Sequence, residues 1–565
     1  MRISLLLLLS ISLHASELFM QAIDINDESL FQRPELKEKE LSKVVLQESV
    51  PGFTQPIIKG LQGDKISIGL DGMRFSNSLF RSGPNQYFSW IPQGFVSRLE
   101  VGEYIENGAL GGAVNMRLGI NKSQVLVDKT ENRYTFLGTL EEKDFQIGMS
   151  LIEADNVYDT QGEVPHSAYN QKALMFKKQF GEDEMALMYS RSDDIDRTDL
   201  FEQGKYYVYE LQQYAMAKYD KHFDSALLSL SFQNFIDNVD KDSRYTDTRN
   251  NIYGVNFTSL YKLKTFDGSL SYGLESSFED IKVDKGVKSD YLYALNSAWT
   301  KYDTYFNDYE VSLYYKHSFM DMSGSLDKNM NDFSTGLVLS HTGFFASIDK
   351  SIKFPTVVNL SEAQGDDVSE LPNADLISEK SINYTLGYKN KNFEVNLYYK
   401  DLQDMIIREQ TDIVSPDDDF YWQYQNAGKG KIYGAYVWMQ KAYMKNYKTS
   451  LFMEYTYGKT QYDYISKLTP FRMELNNRLY EDYYIDFKYA PPVSEDRMAQ
   501  KDITDVRIDG KNFGYAILDI GYKTQHQSHT MELGVTNVLN DQGRVYGSSV
   551  DFSRRALKIQ YAYTF

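Results

Sequence analysis

The feature that most constrains this chain is the alternation in its last ten residues, Ala556-Leu557-Lys558-Ile559-Gln560-Tyr561-Ala562-Tyr563-Thr564-Phe565. Side chains of a strand point to opposite faces in turn, so Leu557, Ile559, Tyr561, Tyr563 and Phe565 share one face and Lys558, Gln560, Ala562 and Thr564 the other. One face suits an apolar medium and the other suits water. The same period recurs upstream in Glu310-Val311-Ser312-Leu313-Tyr314-Tyr315-Lys316, in Asn392-Phe393-Glu394-Val395-Asn396-Leu397-Tyr398-Tyr399, and at Leu451, Met453, Tyr455 and Tyr457. Polar turns such as Asn390-Lys391-Asn392 and Thr265-Phe266-Asp267-Gly268 separate these runs. Repeated amphipathic strands joined by tight turns predict an up-and-down antiparallel barrel. A final strand that stops on an aromatic residue suits the closing strand of an outer-membrane barrel, with its apolar face towards lipid.

Composition narrows the choice. The 45 Tyr and 32 Phe fit aromatic girdles at two membrane interfaces; a Tyr-rich secreted β-sandwich array is the soluble alternative. Beyond the N-terminus there is no apolar run of about 18 residues, the length that a spanning helix requires. Residues 119–565 supply roughly 20 strands or more at about 9–11 residues each, and the expected barrel has about 22. A barrel that wide has a lumen in need of a plug. The net charge of −19 argues against a nucleic-acid partner, which wants a basic face; solvated acidic loops account for it. The absence of Cys excludes disulfides, thiolate metal sites and cysteine nucleophiles. There is no HExxH, GxSxG or Walker loop, so nothing in the sequence supports an enzyme.

Four segments follow. Arg2, the apolar residues 3–9 and Leu13-His14-Ala15 read as a signal peptide, residues 1–15. Residues 16–40 are polar and acidic and read as a periplasmic arm. Residues 41–118 are Gly-rich with mixed helix and strand signals, a small α+β domain. Within it, residues 41–48 are expected to form a short helix ended by Pro51-Gly52, and residues 65–70 a strand turning at Asp71-Gly72. Residues 119–565 form the barrel.

The order of short motifs carries a resemblance. Val50-Pro51-Gly52-Phe53 precedes Ile58-Lys59-Gly60, then Leu70-Asp71-Gly72-Met73-Arg74-Phe75, Val96-Ser97-Arg98-Leu99-Glu100-Val101 and Gly108-Ala109-Leu110-Gly111-Gly112-Ala113-Val114-Asn115. In the barrel come Phe354-Pro355-Thr356, Asn373-Ala374-Asp375-Leu376, Glu379-Lys380-Ser381, then Gln425-Asn426-Ala427-Gly428-Lys429 with Ile432-Tyr433-Gly434, then Asp496-Arg497-Met498 with Asp502, and finally Gly534-Val535-Thr536-Asn537-Val538-Leu539-Asn540. Together they resemble the TonB-dependent outer-membrane receptors, from about residue 43 to the end. Two departures stand out: the stretch between Val101 and Gly108 is short, and so is that between Gly52 and Ile58, so the plug is reduced.

The resemblance implies active uptake of a scarce nutrient across the outer membrane. TonB, driven through ExbB and ExbD, would capture a segment near the mature N-terminus. The one apolar candidate is Leu18–Ile25, with Phe19, Met20, Ala22 and Ile23 as its contacts. Residues 74–87 would form the outward-facing loop of the plug, where Arg74, Phe75, Asn77, Phe80, Arg81, Asn85, Gln86 and Tyr87 suit an anionic, partly flat chelate. The plainer reading packs them against the wall. Arg98 and Glu100 would join a plug–wall charge network, or form an exposed strand pair. An iron chelate, a ferric siderophore or haem, is the expected ligand of a monomeric receptor, with no resident cofactor or metal site. Cobalamin, another metal complex and passive porin-like conduction are the alternatives. The seven His leave residues 354–376 without one, which lowers the case for haem. Among the scattered methionines only Met320 and Met322 form a tight pair, and packing explains them better than soft-metal binding. Asp417-Asp418-Asp419 lacks the spacing of a Ca²⁺ loop.

Overall fold

The computed structural model describes residues 39–565, apart from 51–52, 76, 80–86, 103–108, 202–205, 242–246, 266, 287, 362–369, 415–419, 427, 445, 481, 504–513 and 549. The signal segment 1–15 and most of the arm 16–40 therefore lie outside the described residues.

From Gln124–Thr130 to Ala556–Thr564 the chain forms one closed antiparallel barrel of 22 strands. The last strand closes it by pairing with the first, from Lys558 opposite Thr130 to Thr564 opposite Gln124. The alternation seen in the sequence becomes an inside and an outside. In Tyr169–Phe180, Ala173 and Met175 face inward and are buried, while Leu174 between them is 53% exposed. In the closing strand Leu557, Ile559, Tyr561, Tyr563 and Phe565 are all exposed outward, and Ala562 is buried. An outer surface of that kind is stable against hydrocarbon rather than water. Closure also leaves no open strand edge.

The two ends of the barrel differ. One carries two- and three-residue turns, between Phe344-bearing and neighbouring strands as between Lys389 and Phe393. The other carries the long connections 155–168, 354–378, 404–429, 491–514 and 537–555. Above this loop end sits a small sheet of Glu370–Leu371, Phe420–Asn426 and Ile406–Val414.

The N-terminal domain is two small sheets. Strands β1 (Val45–Val50), β2 (Phe53–Ile58) and β3 (Leu61–Gln62) form the first. Strands β4 (Ser67–Leu70), β5 (Met73–Arg74), β6 (Val96–Gly102) and β7 (Ala113–Leu118) form the second, in the order β5-β4-β7-β6. The helix expected over 41–48 is a correction: helical residues stop at 42, and β1 pairs with β2 from Val45 opposite Ile57 to Val50 opposite Phe53. The β-branched Val44, Val45 and Val50 favour a strand; Pro51-Gly52, expected to end the helix, lies outside the described residues. The turn at Asp71-Gly72 forms as expected, with both residues left-handed at φ 53° and 80°. Gly112 is required by close approach: at φ 117°, a Cβ there would stand 2.7 Å from the Gly102 carbonyl oxygen.

This domain sits in the lumen. Its Leu70, Phe75, Trp90 and Phe95 share one buried apolar cluster with the inward-facing Tyr214, Phe235, Ile281 and Met320 of the wall. Burial at this scale holds the plug in place, and polar bridges fix its orientation.

Candidate functional site: the plug–wall interface

Because every second barrel residue points inward, the wall presents charged groups to the plug at fixed heights. Glu379 is fully buried. It pairs with Lys65 of the plug, lies 3.2 Å from Lys353 Nζ, and accepts the Ile406 backbone N–H at 2.8 Å. Lys353 in turn lies 2.9 Å from Asp64. On another side, Lys218 donates to the Asp71 carbonyl and Lys177 Nζ stands 3.6 Å from the Asp71 carboxylate. Burial opposes ionisation of Asp71, yet Lys218 and Lys177 hold its carboxyl below the usual range.

At the turn end, Glu394 receives Lys39 at 2.6 Å and Lys43 at 3.2 Å. Burial works against the Lys43 charge, but Glu40 and Glu394 raise its pKa above the ordinary value. Lys59 is the opposite case. Its ammonium sits 4.2 Å over the Tyr398 ring, and burial, aided by Lys400, lowers its pKa well below the ordinary value.

The loop expected to meet ligand is only partly described. Phe80, Arg81, Asn85 and Gln86 lie outside the described residues, as do Phe19, Met20, Ala22 and Ile23 of the N-terminal arm and Asp417 to Asp419. Tyr87 opens the 3-10 turn Tyr87–Trp90. Phe75 turns inward, edge-on to Tyr214 at 4.9 Å and 5.6 Å from Phe235, so its surroundings are those of a packing residue. Arg74 and Asn77 lie together against the wall. Gln233 donates to the Arg74 carbonyl at 2.8 Å, Asn77 Oδ1 accepts the Leu79 N–H at 2.9 Å, and Ser78 gives its N–H and hydroxyl to Glu279, the former at 2.9 Å. The Val357 N–H reaches the Ser78 carbonyl at 3.0 Å. These bonds tie Arg74 and Ser78 to three separate parts of the barrel.

Arg98 and Glu100 form an ion pair with each other along β6. Bridges that cross to the wall include those from Lys39 and Lys43 to Glu394, and from Asp64, Lys65, Asp71 and Ser78 to Lys353, Glu379, Lys177, Lys218 and Glu279. Sequence reasoning did not select these, although Glu379 stands inside one of the barrel motifs. A signal was present: a carboxylate at an inward position of a strand must find a cation or remain hydrated. Met320 and Met322 are buried in the apolar cluster, consistent with packing. Among the described residues, no group of three or more His, Asp or Glu forms a metal site.

Among the described residues, cavities remain between plug and wall. One of about 800 Å³ lies beside β1, lined by Glu48, Arg133, Arg472, Glu474 and Tyr515 among others. Burial pushes the Glu48 carboxyl up to about 7, against the pull of Arg133. Another, of about 140 Å³, lies between β4–β5 and the opposite wall, with Arg74, Asn77, Glu275, Lys316 and Lys353 on its surface.

Comparison with known proteins agrees with this architecture. Residues 75–538 match the family described as TonB dependent receptor-like, beta-barrel. The copper transporter OprC superposes with a TM-score of 0.76 at 12% identity, over 93% of this chain and 94% of that one. The FrpB iron transporter of Neisseria meningitidis (F3-3 variant) gives 0.70 at 12% identity, over 94% and 96%. A mutant of the ferric enterobactin receptor PfeA of Pseudomonas aeruginosa gives 0.69 at 14% identity, over 93% and 96%. At such identities these likenesses establish the fold alone. No curated protein matches the chain in sequence. With the family match spanning most of its length and the plugged barrel it folds into, the chain belongs to the TonB-dependent receptor family.

Proposed function

We propose that this protein is an outer-membrane receptor that imports a scarce metal complex, an iron chelate first, by TonB-coupled transport. The observation that carries this reading is a wide barrel whose lumen is occupied by a domain tied to the wall through buried ion pairs. Such a barrel is a gate, and a gate needs a source of work. Residues 1–15 act as the signal and 16–40 as the periplasmic arm that TonB takes up by strand addition. The turn end then faces the periplasm and the loop end the outside, as short turns and long loops do in this class of barrel. Names of the structural neighbours mention copper, iron and ferric enterobactin, which supports a metal as the cargo class without choosing among metals. The protein acts as a monomer, with outer-membrane lipid around it and ExbB and ExbD behind TonB.

Passive conduction is the competing reading, favoured by the cavity of about 800 Å³ beside β1. Growth under iron limitation separates the two. A strain deleted for this protein should be rescued by the full chain and not by a chain lacking residues 16–36 that still inserts its barrel. Rescue by the shortened chain would remove the coupling proposal, and indifference to iron in both strains would remove the iron assignment.

A further inference from the structure

The hairpin just before the closing strand brings two histidines together, away from the plug–wall contact. Its strands are Tyr515–His526 and His529–Thr536, joined by Gln527 and Ser528 at the turn end of the barrel. His526 and His529 are register partners across it. Directly opposed residues of an antiparallel pair share a face, with Cβ atoms about 4.5–5.5 Å apart. Both side chains are exposed, on the outer face that also carries Met531 and Tyr561.

Imidazole suits Cu²⁺, Ni²⁺ and Zn²⁺. Metal–nitrogen bonds of about 2.0–2.1 Å place two nitrogens on one ion roughly 3 Å apart. Two rings on opposed Cβ atoms reach that spacing by side-chain rotation. One ring is already oriented. His529 Nδ1 lies 2.7 Å from the Tyr561 hydroxyl, and its ring centroid is 5.0 Å from that of Tyr563. With Nδ1–H donated to the tyrosine oxygen, Nε2 carries the free lone pair. Metal-bound histidines are held by a second hydrogen bond of this kind. The cation nearest along the strand, Lys523, stands 3.6 Å from Glu532, so its charge is met there. Among the described residues no third His, Asp or Glu completes a cluster, so water fills the remaining positions. Two neutral imidazoles without carboxylates do not suit Mg²⁺ or Ca²⁺, which take oxygen ligands.

We propose that His526 and His529 form a two-imidazole site for a borderline divalent cation, Cu²⁺ more tightly than Ni²⁺ or Zn²⁺. That order is the general one for nitrogen ligands. The ion clips the two strands together at the turn end. One strand further on is the seam of the barrel, where Ala556–Thr564 pairs with Gln124–Thr130. Only the folded hairpin holds both rings on one ion, so binding stabilises the closed barrel. The site is on the outer face of the wall, apart from the lumen, and stands independently of the import function.

The test is calorimetric titration of Cu²⁺ and, separately, Ni²⁺ into the untagged full-length protein in detergent. The expected result is one equivalent of Cu²⁺ bound saturably and more tightly than Ni²⁺. His526→Gln and His529→Gln should each weaken it at least tenfold. His341→Gln is the control. That residue is at the same end of the barrel, opposite Phe344 and stacked on Tyr309, and its loss should leave binding unchanged. Copper should also raise the temperature at which the heat-modifiable mobility changes, in the wild type and in His341→Gln but in neither variant of the pair. No saturable binding, loss through only one of the two histidines, or equal loss in His341→Gln would overturn the proposal. The assay uses neither TonB nor uptake, so its failure is distinct from failure of the import reading.

Discussion

Single buried charges set the strength of the plug–wall contact. Glu379 has Lys65 and Lys353 on either side, and removing its charge leaves the first ammonium without its carboxylate. Breaking one partner of a buried pair costs about 3–5 kcal/mol. Glu379→Gln should therefore loosen the plug and leave the barrel intact, seen as faster proteolysis within residues 39–122 at unchanged heat-modifiable mobility; equal cleavage rates would contradict this. Glu48 makes a pH prediction. Its carboxyl is raised to about 7 in the folded protein, so between the ordinary Glu range near 4.5 and about 7 the unfolded chain releases a proton that the folded one keeps. Stability is then lost as pH rises through that window. Glu48→Gln should match the wild type at pH 4 and exceed it by a few degrees in melting temperature at pH 8. A constant difference across that range would show that Glu48 titrates normally.

At the scale of elements, the alternating strands were the most legible part of the sequence. The closing strand is the clearest case, since its period of two assigns each residue to lipid or lumen. Ile559→Lys places a charge on the lipid face near mid-strand and should cost about 2–4 kcal/mol, lowering the folded fraction in a urea titration. Gln560→Lys points inward, opposite Glu532 and Asp128, and should be tolerated; equal effects of the two would contradict the facing. The plug was less legible. Its Asp71-Gly72 turn and the strand before it could be read, because positive φ favours few residues. The β1–β2 hairpin could not, because Leu41 to Glu48 carries a helical spacing locally, and Val45–Val50 becomes a strand only when Phe53–Ile58 supplies a partner. The ion pairs across the interface were equally hidden. Lys65 and Glu379 are 314 residues apart, and no local pattern links them.

At the scale of the whole molecule, closure, plug and bridges define a gate at rest. The barrel alone is wide enough to conduct, and a cavity of about 800 Å³ remains beside β1 between plug and wall. Lys39, at the end of the arm, and Lys43, near the start of the plug, are clamped on Glu394 at the turn end. A pull on the N-terminal arm would load that clamp first among the contacts of the described residues. Single-channel recording in a planar bilayer tests this account most directly. The intact protein should remain closed, and a variant lacking residues 39–122 should show a large, steady conductance. A large, steady conductance from the intact protein would contradict it.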